Sequence, residues 1–210
     1  MLSERKKALI NWVNKKAKED GVFLPSLRLH RFLFFYECFS KVEGDDYNFD
    51  ELRGYKRGPV FGDVYREVKF NTVAFETYIN QSEHAVDEER AKRALFLVRI
   101  LGNDLSDFTH NLDIWKTHEK AIMGGTPQLP LSESDFSEKD VEIFISLLSL
   151  YPANLINEVE IKEVEGKAFL FPKKYKFKEE YYDVLYEAAI DKDFHSPVYV
   201  DVDEEGLILE

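Results

Sequence analysis

Apolar residues recur at helical spacing through most of this chain, then give way to partial alternation near its end. After Ser3, a good helix-capping residue, Leu9, Trp12, Val13 and Ala17 share one side of a turn repeat. Lysines take the other side, and Asp20-Gly21 ends the pattern. This predicts an amphipathic first helix. The stretch SLRLHRFLFFYECFSK follows Pro25, with Ser26 placed to cap it. Leu29, Phe32, Leu33 and Tyr36 form a stripe that Phe35 and Phe39 widen, which predicts a central, buried helix. A further helix opens at Asp87-Glu88-Glu89, buries Ala91, Ala94, Leu95, Val98 and Leu101, and stops at Gly102-Asn103. Another carries Val141, Phe144, Ile145 and Leu148, starts at Ser137 with Asp140 in a capping-box arrangement, and closes at Pro152. Between these, NTVAFETYINQS reads as a helix or loop turn and TPQLPLSES as a loop. LSDFTHNLDIWKTHEKAIMGG reads as two short helical turns ended by Gly124-Gly125.

Beyond residue 153 the period changes. EVEIKEVEGKAFLF alternates in part and turns at Glu165-Gly166, and PVYVDVDEEGLILE reads as a second hairpin. The helix KEEYYDVLYEAAID lies between them. The predicted fold is therefore mainly α with small β elements (α+β). A helical domain spans residues 1–152, and a mixed α/β extension spans 153–210 and packs on it.

The stretch LRGYKRGPVFGDVY interrupts the helical pattern. Leu52 to Lys56 reads as a brief extended segment. Gly58-Pro59 turns the chain, with Pro59 in the first turn of a helix that carries Val60, Phe61, Val64, Tyr65 and Val68. The glycines fit neither a Walker loop nor a dinucleotide-binding fingerprint. Arg53, Lys56, Arg57, Arg66 and Lys69 outnumber Asp63 and Glu67 here, with Tyr55 and Phe61 interleaved, so this is the chain's best candidate anion or nucleic-acid patch. Asp63, Glu67 and Lys69 echo a nuclease pattern, but on a helix positions two apart do not face each other.

Composition narrows the choices. The chain has 210 residues, with 17 Phe and 11 Tyr, which suits a core built on rings. Forty acids against 28 bases give a net charge of −12, which disfavours general nucleic-acid binding and favours a basic partner. The single cysteine, Cys38, sits among apolar residues and reads as a buried, inert thiol. His110 and His118 are eight apart with no third ligand at short spacing, so no metal and no cofactor is expected. There is no nucleophile elbow. The N-terminus lacks a signal-peptide pattern and no run is long enough to span a membrane, so a cytoplasmic protein without a membrane partner is expected.

Two stretches together carry a resemblance. RLHRFLFFYECFSK leads into LRGYKRGPVFGDVY, and LSDFTHNLDIWKTHEKA follows later. This resembles the Panacea domain, also described as phage-associated or GepA-like. Tyr55, Gly58, Pro59, Val60 and Tyr65 match its first motif. Leu105, Ser106, Thr109, His110 and Trp115 match its second, with Ile114 where the family often has proline. The resemblance covers about Leu29 to Ile122. It implies a non-enzymatic antitoxin of a mobile element, binding a toxin encoded by a neighbouring gene. It also implies a possible link to a protease through a proteolytic-adaptor role. Alternatives are a nucleic-acid-binding regulator acting through residues 53–69, and an enzyme using His110 as acid–base. The candidate binding residues are Tyr55, Arg57, Gly58, Pro59, Val60, Tyr65, Thr109, His110 and Trp115. In structural terms, Thr109 is expected to cap the turn holding His110, and Trp115 to bury against the aromatic helix at Phe32 to Phe39.

Overall fold

The computed structural model describes residues 2–70, 79–80, 82, 84–126, 128–204 and 206–210. Their architecture is α+β, mostly helix with two small sheets. Helix α1, Glu4–Glu19, starts at Ser3, whose hydroxyl accepts from the Lys6 amide at 3.3 Å. Helix α2, Ser26–Glu43, is buried without a break from Leu29 to Ser40. Ser26 does not cap it. Pro25 holds the cap position in an extended conformation, and Ser26 is already helical. Continuous burial means α2 is packed on all sides, and its rings supply much of the packing. Phe39 meets Phe144 edge-on at 5.2 Å, and Phe35 meets Phe108 at 5.7 Å.

Strands β1, Leu52–Tyr55, and β2, Gly58–Phe61, form a hairpin joined by Lys56-Arg57. Helix α3, Gly62–Phe70, follows. Pro59 therefore does not open a helix, and Val60 and Phe61 are strand residues. Gly58 reverses the chain at φ 106°, a conformation L side chains rarely adopt, and Pro59 pairs with Gly54. The proline is tolerated because β2 is an outer strand, where a missing N–H need not break a ladder. The sequence stretch at 71–82 lies mostly outside the described residues.

Helix α4, Glu88–Leu101, packs along α2 and is capped by Asp87. Three short helices follow instead of two: α5, Leu105–His110, α6, Asp113–Lys116, and α7, Glu119–Met123. The expected loop at 126–134 contributes β3, Leu129–Pro130, which pairs with β1. Helix α8 is Glu138–Leu150 and α9 is Ala153–Glu158. Ser137 caps α8 through the Asp140 amide. The Asp140 carboxylate also reaches outward to the amides of Asp113 and Ile114 at 2.7 and 2.9 Å, so it ties α6 to α8.

The second sheet has the order β4, Val159–Val164; β5, Lys167–Pro172; β6, Val198–Val202; β7, Leu207–Leu209. Helix α10, Tyr181–Ile190, lies on it. Both predicted hairpins form, and β5 and β6 run parallel between them. Strand β5 serves two cores, because successive side chains point to opposite faces. Ala168 and Leu170 join the helical core. Phe169 and Phe171 join a second cluster with Leu185, Ala189, Val198 and Val200.

Candidate functional site

The two motif segments meet at the β1–β2 hairpin. The indole N–H of Trp115 donates to the Tyr55 carbonyl at 2.9 Å. The His110 ring stacks on Trp115, with centroids 3.9 Å apart and planes 19° from parallel. Trp115 is buried as part of the main apolar core that includes Phe32 to Phe39, and it also meets His110 and the hairpin. Thr109 lies beside Gly58, and a Cβ added at Gly58 would meet its hydroxyl and the Arg31 guanidinium. Thr109 is no N-cap, since its hydroxyl donates back to the Leu105 and Ser106 carbonyls at the end of α5. Tyr55 and Tyr65 are in ring contact at 5.8 Å, and Val60 is buried in β2.

Two residues outside the predicted set complete this junction. Arg31, on α2, is fully buried and donates to the carbonyls of Arg57 and Pro59. Among the described residues no carboxylate pairs with it. Burial alone pulls its pKa down to about 9. His30 is also buried and lies 6.5 Å from the Tyr65 ring. Burial, helped by Arg31 and Lys6, lowers its pKa to about 3, so it is neutral at pH 7. The sequence did carry one signal for both: a His-Arg pair set inside an otherwise apolar helical run.

Among the described residues, every buried side-chain nitrogen or oxygen lacking a hydrogen-bond partner belongs to His30, Arg31, Tyr55 or His110. The junction thus concentrates the unsatisfied polarity of the described residues. Burial also raises the Tyr55 pKa, as does Tyr65. For His110, burial and then Arg31 lower the pKa, against Asp107, Glu119 and the Lys56 backbone. Its buried Nε2 and ring stack leave it poorly placed as a general base.

The basic patch is smaller than its sequence suggested. Arg53 and Arg66 both pair with Glu51, at 3.5 and 3.1 Å, and the Lys69 amine lies over the Tyr65 ring. What remains is the hairpin tip, where Lys56 and Arg57 are exposed with no side-chain partner among the described residues. Asp63 is held by Lys6 at 2.8 Å in a buried pair, and shares α3 with Glu67 and Lys69. His118 pairs with Asp135 at 2.9 Å, away from the His110 stack. Among the described residues no three His, Cys, Asp or Glu side chains cluster as metal ligands. Cys38 is buried, and burial raises its pKa well above the usual thiol range.

Two adjoining clefts, of about 530 and 520 Å³, lie elsewhere, where α1, α4 and β4 meet. They share Asp20, Arg99, Glu160 and Ile161, and none of the predicted site residues lines either one. No described helix is long and apolar enough to cross a membrane. Comparison with protein-family models, curated proteins and solved structures finds no match.

Proposed function

We propose that this protein is a non-enzymatic interaction module, acting as the antitoxin of a toxin–antitoxin pair. It binds the toxin encoded by a neighbouring gene and neutralises it in the cytoplasm. One observation carries the interaction reading. Four of the ten exposed large apolar residues among those described lie on one element, α10: Tyr182, Val184, Tyr186 and Ile190. Such concentration on a folded surface marks a place where another protein sits. The resemblance of the two motif segments to the Panacea domain supports the antitoxin form, and the motif residues themselves are engaged in holding the hairpin. Co-expression with the adjacent gene product tests it. A stoichiometric complex and restored growth are expected; a toxin that stays unbound and lethal would sink the reading.

The hairpin tip favours a second reading, an adaptor or nucleic-acid-binding regulator, because Lys56 and Arg57 are exposed without side-chain partners among the described residues, on an acidic protein. Under it, Lys56→Glu with Arg57→Glu abolishes binding to a protease subunit or to a nucleic acid. Binding unchanged by that double variant would remove it.

A further inference from the structure

We infer that the outer face of α10 docks a cationic amphipathic helix of the partner protein. The inference rests on the interaction reading above and adds the surface and the chemistry it accepts. The inner face of α10, Tyr181, Leu185, Ala188 and Ala189, is buried against β5 and β6. That face holds α10 on the sheet. Yet Tyr182, Tyr186 and Ile190 recur every four residues beside it, 46%, 50% and 61% exposed. They form a straight apolar ridge about 12 Å long, the span over which one helix seats another.

The charge beside the ridge selects the occupant. Asp183 and Glu187, also four apart, run along it, and Glu179 precedes it. Residues 179–193 hold six acids and one base, Lys192. Lys178 pairs with Glu180 at 3.2 Å, but among the described residues Glu179, Asp183 and Glu187 have no ion pair. An apolar ridge edged by uncompensated carboxylates complements a helix with apolar residues on one side and Lys or Arg flanking them. A second copy of this chain would bring the same acids into contact, and an anionic lipid surface would be repelled.

The test uses the whole chain and two labelled synthetic peptides at helical spacing, one of leucine and lysine, the other of leucine and glutamate. Fluorescence anisotropy reads binding. Two double variants are compared with the parent: Tyr186→Ala with Ile190→Ala, and Asp183→Lys with Glu187→Lys. Tyr182 is left alone because it packs edge-on against Phe177 at 4.9 Å. All four changed side chains are exposed, so melting curves should move little, with a slight loss expected from a lysine at Asp183 in the first turn of α10. The lysine peptide should bind and the glutamate peptide should not. Each double variant should weaken the lysine peptide about tenfold or more. Equal binding of both peptides, or undiminished binding by the variants, overturns the inference, as does self-association of the parent through α10. The same variants are then tested against the toxin. A toxin complex that survives both changes overturns the α10 surface and leaves the interaction reading standing. A parent chain that binds no toxin defeats the antitoxin reading instead, and the peptides then decide the surface.

Discussion

The indole N–H of Trp115 donates to the backbone carbonyl of Tyr55, joining residues 60 apart in sequence. This bond closes the β1–β2 hairpin onto the short helices. Trp115→Phe keeps an aromatic ring against His110 but leaves the carbonyl without its donor. It should destabilise the fold by about 1 kcal/mol, and Trp115→Ala by about 3–5 kcal/mol. Urea midpoints of the two variants check the order. No loss in Trp115→Phe would mean the bond contributes nothing.

Arg31 holds the hairpin turn through the carbonyls of Arg57 and Pro59. Arg31→Met fills most of the same volume, leaves the buried Pro59 carbonyl without its donor and leaves the Arg57 carbonyl only the Ser106 hydroxyl at 3.5 Å. A loss of about 2–3 kcal/mol is expected, because orphaned buried acceptors cost more than the bond itself contributes. Amide exchange should rise first in residues 55–60. Exchange unchanged there would show that the turn holds without Arg31.

Gly58 combines φ 106° with close approach to Arg31 and Thr109. Gly58→Ala should destabilise by about 2 kcal/mol or more, since both the conformation and the space oppose a Cβ. Gly44 is the control. It also has positive φ, but nothing lies within 4 Å of an added Cβ. Gly44→Ala should therefore cost less in a thermal melt, and the difference measures the crowding.

His30 gives the protein an acid limb. Its folded pKa is about 3, below the ordinary value of 6.5. Below about pH 6.5 the unfolded chain binds a proton that the folded chain refuses. The stability contributed by neutral His30 is complete above that pH and is lost progressively down to about pH 3. At about pH 5 the loss is about 2 kcal/mol. His30→Leu removes this term and the two unpartnered nitrogens. Its urea midpoint should match or exceed that of the parent at about pH 7.5 and exceed it clearly at about pH 5. A constant gap across that range would place the titration elsewhere.

The helical periodicity of α1, α2, α4, α8 and α10 was readable because each carries an apolar stripe broad enough to dominate its window. The Glu165-Gly166 turn was readable from a residue type suited to positive φ. Pro59 was misread because proline suits both the first turn of a helix and an outer strand, and the spacing of Val60 to Val68 fits a helix alone. What decides is Arg31, a side chain from another helix that bonds the Arg57 and Pro59 carbonyls. Strand β3 was missed because two residues carry no period. The site was half legible. The motif residues do converge, but the buried His30 and Arg31 sit in a run whose apolar character hid them, and their partners lie 26 to 35 residues onward.

Strand β5 has a practical consequence for anyone shortening this chain. Leu170 and Phe171 are neighbours in sequence but belong to different cores. Removing residues 153–210 would therefore strip Ile161, Ala168 and Leu170 from the helical half and leave a raw apolar wound along α4. A truncated protein that fails to bind its partner would report collapse as readily as a missing contact. Point changes on exposed positions are the tools that keep recognition and folding apart.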